Sequence, residues 1–378
     1  LDKARTMQRN FVARYLSDKQ GDAAIVAFTS PDAEDWRFSL IKMDLGFKKT
    51  DTGIKVKQEF TPAKRWSFLV GENENSHTAQ SQLVGILAND EDEPTLDELE
   101  QAFSIETVTN EFYEKYTDLF LRMKEALDTL LENDSQLKTD FKEKDVDTVD
   151  FAKKTMGQMA FLYFLQKKGW FGVKADKEWG TGVKNFLREV FERREKYGEN
   201  FFDDVLEPLF YKALAQDRSD KNDIYSELNG CRMPFLNGGL FEPMNGYSWS
   251  DTHIRLPDEL FSNDIKTKEG DIGDGILDVF DRYNFTVNES EPLEQEVAVD
   301  PEMLGKVFEN LLEIKDRKSK GAFYTPREIV HYMCQESLIN YLETETNSLI
   351  PKVDIESFIQ QGSQIIQNDK SIIEQGGD

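Results

Sequence analysis

The apolar pattern of the chain changes character near residue 90. Before it, residues 3–18 repeat Met7, Phe11, Tyr15 and Leu16 at helical spacing, which predicts an amphipathic helix with that side buried. Three short runs follow, Ala23–Thr29, Trp36–Leu45 and Arg65–Val70, rich in β-branched and aromatic residues. Pro31-Asp32 and Asp51-Thr52-Gly53 mark turns between them. A helix over Ser76–Leu87 and an acidic run, Asn89–Asp97, close this part. The pattern is that of helices packed on a mostly antiparallel sheet, with the acidic run as linker.

From about Ser104 the spacing is helical. Thr109–Leu131 places Phe112, Tyr116, Leu119, Phe120 and Met123 on one face. Phe151–Lys168 is apolar nearly all round in its second half, which predicts the central helix of a bundle, stopped by Gly169. Gly182–Tyr197 and Phe201–Ala215 continue the bundle, and Asp217–Asp223 is a charged loop. Pro234–Pro243 contains Asn237-Gly238-Gly239, read as an irregular turn, with a phosphate cradle as the weaker alternative because no P-loop lysine follows. Short elements are expected at Gly275–Tyr283 and Asn284–Asn288, and helices at Pro301–Leu312 and Asp354–Ile366. The expected fold class is α+β, predominantly α-helical: a helix-plus-antiparallel-sheet domain over 1–90, a helical connector over 104–272 and a further domain opening over 273–378.

Composition narrows the class. Hydrophobic residues at 39% and aromatics at 12% fit a folded protein, and no run reaches the roughly eighteen apolar residues of a membrane span. Cys231 and Cys334 offer no disulfide framework, and the expectation is a cytoplasmic protein. His331 and Cys334 share a helical face, but two ligands do not make a metal site. The start, LDKARTMQRNF, has no secretory pattern and lacks an initial methionine, so the chain reads as an excised piece. The net charge is −26, from 46 Lys and Arg against 72 Asp and Glu, so any grip on DNA needs concentrated basic surface. Two clusters qualify, Lys3, Arg5, Arg9 and Arg14, and Lys315, Arg317, Lys318 and Lys320, each with a solvated helix face as the blander reading.

Lys320–Leu342 carries the chemistry. Thr325-Pro326-Arg327-Glu328 is a capping box with proline at the first helical position. Behind it Ile329, Val330, Met333, Cys334, Leu338, Tyr341 and Leu342 are spaced to bury one side. Phe323 and Tyr324 precede the helix start, whose unpaired N–H groups favour an anionic group. An ordinary capped helix with an aromatic staple satisfies the same residues.

G-A-F-Y-T-P-R-E-I-V resembles the cofactor motif that opens the catalytic domain of adenine-specific DNA methyltransferases, and Gly275–Leu342 resembles single-chain type IIG and related restriction–modification enzymes. The resemblance implies that Ala322, Phe323, Tyr324, Thr325 and Pro326 line S-adenosyl-L-methionine, that residues 273–378 open the methyltransferase domain, and that double-stranded DNA is the partner. The first part is similar to the second half of a PD-(D/E)xK-type nuclease domain, which uses Mg2+. Gln8 and Tyr15 then stand where that family supports its metal site, while the metal-binding Asp and E-x-K would precede Leu1. Glu313-Ile314-Lys315 has the right letters on a helical pattern and is set aside. The glycine-rich loop and the Asn/Asp-Pro-Pro-aromatic tetrapeptide of the methyltransferase are absent from the sequence. Catalytic residues for both reactions are therefore expected outside the chain. The competing classes are an acidic DNA mimic, suggested by the charge, and a helical scaffold without a ligand.

Overall fold

A computed structural model describes residues 5–31, 33–43, 48–50, 53–55, 63–89, 92–228, 230–236, 238–286, 293–299, 327–346 and 349–359. The chain is α+β and predominantly helical, and it divides into two units, Leu1–Met303 and Leu304–Asp378.

In the first unit, α1 (Arg5–Lys19) leads into β1 (Ala23–Ser30) and β2 (Ala33–Lys42). A separate hairpin, β3 (Lys48–Thr50) and β4 (Gly53–Lys55), precedes β5 (Lys64–Val70). The main sheet has the order β1-β2-β5-β8, where β8 is Glu294–Glu296, while β6 (Ile224–Tyr225) and β7 (Cys231–Arg232) pair with each other. The first three strands pair antiparallel as the sequence suggested, and β8 joins β5 in parallel. Nothing local announces that fourth strand, because its partner lies more than two hundred residues earlier.

The sheet is covered on both sides. On one face, Val12, Ala13 and Leu16 of α1 pack with Ile41, Ala63, Val26 and Phe28. This corrects the expected helix face, since Met7, Phe11 and Tyr15 are 75%, 72% and 59% exposed while Arg9 is buried. The reason is the underlying sheet: its far end is polar and charged, so α1 turns Arg9 inward to meet it. On the other face, Phe38 and Phe68 meet Phe103, with ring centroids 5.8 and 4.9 Å apart. After α2 (His77–Leu87), Phe103 ends α3 (Leu96–Ala102), whose start carries a complete Thr95/Glu98 capping box.

The helical layer is built on α4 (Ile105–Asn133) and α6 (Thr148–Lys167), with α5 (Ser135–Glu143) between them. Phe112, Tyr116, Leu119, Phe120 and Met123 are all buried, as their spacing requires. In α6, Met156, Met159, Ala160 and Leu162 have no exposure, so the helix is central, but Phe161 is 37% exposed and meets only the edge of the bundle through Phe241. Gly169 ends the helix at φ +67°; a Cβ there would fall 2.4 Å from the Gly180 carbonyl oxygen.

Beyond it the expected helices are modified. Gly182–Tyr197 holds only α7 (Phe186–Glu192) and a 3-10 turn, Arg194–Lys196. The stretch predicted over Phe201–Ala215 widens into π-helical turns at Phe202–Leu206 and Leu209–Leu214. The Gly238-Gly239 turn is structural. Lys154 Nζ donates to the Gly239 carbonyl at 2.9 Å and Gln158 to that of Leu240 at 2.7 Å, so the turn shows α6 its carbonyl oxygens, which a phosphate would repel. Helix α8 (Ile276–Arg282) then sends Phe280 between Phe112 and Tyr163, at 5.3 and 5.0 Å.

In the second unit, α9 (Arg327–Glu345) and a helix over 352–359 are described. The helix is described from Arg327 onward, and Thr325 and Pro326 of the expected capping box lie outside the described residues. Its expected buried face is not covered: Ile329, Val330, Met333, Leu338 and Tyr341 are exposed, and among the described residues of the helix Ile339 alone is fully buried. Apolar spacing creates a stripe able to be covered; what covers it is a separate question. The helix expected at Pro301–Leu312 and the basic cluster Lys315–Lys320 lie outside the described residues.

Candidate functional site

Two polar places in the first unit stand out. The first lies beneath α1. Strand register puts Arg37 and Ser39 of β2, Arg65 and Ser67 of β5, and Glu294 and Glu296 of β8 on one face. All six are buried. Arg65 Nη2 donates to Glu294 Oε2 at 3.0 Å, and its Nη1 to Gln8 Oε1 at 3.1 Å. Arg9 reaches the other Glu294 oxygen at 3.2 Å, Arg37 pairs with Glu296 at 3.4 Å, and the Ser39 and Ser67 hydroxyls are 2.8 Å apart. Burial pushes the Arg65 guanidinium down to about 10, against the pull of Glu294 and with the help of the neighbouring arginines. Gln8 thus serves this network from α1, while Tyr15 faces away from it. Among the described residues no group of three His, Cys, Asp or Glu could hold a metal ion, and the network itself is held by cations, which is the wrong donor set for Mg2+.

The second place is a cleft of about 900 Å³ where the loop after β5 meets the ends of α6 and α8. Glu74, itself buried, accepts from Lys167 and faces Lys184 at 3.6 Å. Tyr163 donates to Asp281 at 2.7 Å, and Arg188 binds Asp281 and Asp278 at 2.7 and 2.9 Å. Burial raises the Asp281 carboxyl above the usual range, partly offset by Arg188. The cleft's three cations are all answered by carboxylates, so it has structure but no unmatched group calling for a ligand.

The sequence-predicted cofactor residues, Ala322, Phe323, Tyr324, Thr325 and Pro326, lie outside the described residues. What is described is the helix that follows them, beginning at Arg327. Sequence reading missed the network beneath α1. Glu294 and Glu296 stand at period two, but a three-residue run is too short to announce a strand with one acidic face.

Over 253 residues, 62% of this chain, a protein of Methanocaldococcus jannaschii described as “Putative type II restriction enzyme and methyltransferase” is 29% identical. The chain is similar to a restriction–modification protein. The matched part spans only 19% of that relative's length. No family model and no solved structure matches the chain. Among the described residues no helix is long and apolar enough to cross a membrane.

Proposed function

We propose that the chain is the connecting part of a single-chain DNA restriction–modification enzyme. Such an enzyme methylates adenine in a specific sequence with S-adenosyl-L-methionine and cleaves DNA that lacks the mark. In this reading residues 1–90 contribute a nuclease-like sheet, 104–272 a helical connector and 273–378 the opening of the methyltransferase domain. The observation that carries it is the similarity to a relative described by both activities.

The local support is at α9. A 19-residue helix is described from Arg327, directly after Thr325-Pro326, and a helix N-terminus favours the anionic end of a ligand. Ala322–Pro326 would hold the cofactor, which supplies the methyl group. The exposed apolar row of α9 suits a helix that packs on further parts of a larger domain. The carboxylates that hold Mg2+ and the residues that hold the flipped adenine are assigned to other parts of the enzyme, so no catalytic step is assigned to this chain's residues.

The test compares this chain with the uninterrupted gene product. The longer protein should transfer labelled methyl to adenine and cut unmodified DNA with magnesium, whereas the chain alone should do neither. Methyl transfer or cutting by the chain above a buffer control would overturn the reading.

A further inference from the structure

The loop that joins α6 to α7 is closed on itself. The amides of Gly180 and Gly182 both donate to the Gly169 carbonyl, at 3.1 and 2.9 Å, and that of Val183 donates to the Phe171 carbonyl at 2.8 Å. The loop is also tied to β7: the Arg232 amide donates to the Val173 carbonyl at 2.8 Å, and the Arg232 guanidinium to the Lys177 carbonyl at 2.9 Å. A loop whose ends are joined and whose middle is anchored presents its side chains in defined places.

Lys167, Lys168, Lys174, Lys177 and Lys184 stand on or beside this loop. Lys167 and Lys184, at its two ends, are both answered by Glu74. The other three are exposed, and among the described residues no carboxylate stands within ion-pair distance of any of them. Two half-buried tryptophans gather them. The Lys168 ammonium lies 5.6 Å from the centre of the Trp170 ring, Trp170 lies 6.5 Å from Trp179, and the Arg232 guanidinium lies 4.4 Å from the centre of the Trp179 ring. Arg232 in turn holds the Lys177 carbonyl, and the Lys177 amide donates to the Lys174 carbonyl at 3.0 Å. An aromatic face positions a cation without neutralising it. Arg232 itself is answered by Asp223 at 3.4 Å, so the charge left over is that of the three lysines. Residues 168–184 hold four lysines against Asp176 and Glu178, an excess of cations in a chain whose net charge is −26.

We propose that this loop is a DNA-backbone contact of the helical layer, in which Lys168, Lys174 and Lys177 neutralise duplex phosphates. The partner rests on the proposed function above; the contact itself rests on the closed loop, the ring contacts and the unanswered lysines. A duplex carries its phosphates at close intervals, so ammonium groups held on one loop can meet several of them together, giving affinity without sequence choice. Because the loop and its rings are already ordered, less freedom is lost on docking than for lysines on a solvated helix face. An acidic protein that acts on DNA needs such concentrated contacts, because the rest of its surface repels the duplex.

The experiment measures binding of a short unmodified duplex by the chain as a function of salt. Four proteins are compared: the parent, the loop variant Lys168→Gln/Lys174→Gln/Lys177→Gln, its charge-keeping counterpart Lys168→Arg/Lys174→Arg/Lys177→Arg, and a control, Lys138→Gln/Lys142→Gln/Lys144→Gln. The control removes the same charge from exposed positions at α5. Each phosphate contact contributes about 0.9 to the slope of log affinity against log salt, so the loop variant should lose roughly 2.7 of slope. Between about 50 and 200 mM salt the parent should then weaken about fortyfold more than the loop variant. The arginine variant and the control should keep the parent slope. Equal slopes in loop variant and control, an arginine variant that behaves like the glutamine one, no duplex affinity in the parent, or loss of binding to anionic vesicles but not to duplex would each overturn the contact. Methyl transfer by the longer protein is a separate readout, so failure here leaves the proposed function standing or falling by its own test.

Discussion

Arg65 and Glu294 meet at 3.0 Å across a parallel strand pair, although 229 residues separate them in sequence. The pair closes the edge of the sheet and fixes the register of β8, because a one-residue slip would turn Gln295 toward the arginines and both glutamates away. Removing one member of a buried pair strands the other, at a cost of about 3–5 kcal/mol. Glu294→Ala, which leaves both Arg9 and Arg65 short of a counter-charge, should lose about that much in urea unfolding. Arg65→Met/Glu294→Leu should cost less than the two single changes together. A Glu294→Ala protein as stable as the parent would show that β8 adds nothing to the sheet.

Helix α6 separates two phenylalanines that look equivalent in sequence. Phe164 is 7% exposed and meets Phe285 at 5.1 Å, whereas Phe161 is 37% exposed. Phe164→Ala should cost about 3–5 kcal/mol, the range for large core truncations. Phe161→Ala should cost about 1 kcal/mol, nearer the surface norm. Unfolding curves that rank them the other way would mean that the bundle is packed around the opposite face of α6.

Those two residues mark what sequence can and cannot show. Elements whose partners are close in sequence were legible: β1 and β2 face each other across a short turn, and the buried face of α4 follows from spacing alone. Where an apolar stripe could be covered from either side, spacing did not decide. Helix α1 buries Val12 and Ala13 rather than Phe11 and Tyr15 because the sheet beneath it offers a small apolar patch next to charged groups. The network that Arg65 anchors was illegible for a different reason. Its acids come from a three-residue strand whose identity depends wholly on pairing with β5.

Glu207, between the two π-helical turns that follow α7, has no exposure and accepts a hydrogen bond from Tyr247. Burial pushes its carboxyl well above the usual carboxylate range, and the nearby Asp203 adds to the rise. A carboxyl raised in the folded state keeps a proton that the unfolded chain releases. Its contribution is therefore complete below the unfolded pKa and is lost as pH rises toward the folded value. Between about pH 5 and pH 8 the parent should lose stability relative to Glu207→Gln, with a limiting slope of about 1.4 kcal/mol per pH unit. Parallel stability–pH curves for the two proteins would place the Glu207 pKa near its unfolded value.

The residues before α9 allow a test in which capping and ligand contact are kept apart. If Thr325 caps the helix, Thr325→Ala should cost about 1 kcal/mol whether or not a cofactor binds. Thr325→Ser keeps the capping oxygen and removes only a methyl group, so it reports on shape. Tyr324→Ala leaves the cap intact and removes one proposed wall of the cofactor site. The measurement is calorimetric titration of the uninterrupted gene product with S-adenosyl-L-methionine, alongside thermal melting without it. Tyr324→Ala should melt close to the parent and bind the cofactor more weakly; Thr325→Ala should both melt earlier and bind more weakly. Unchanged cofactor affinity in a folded Tyr324→Ala protein would leave Tyr324 as the staple of a capped helix and remove it from the site. Because melting is read without the ligand and affinity with it, the two roles of this short stretch are separated in a single set of proteins.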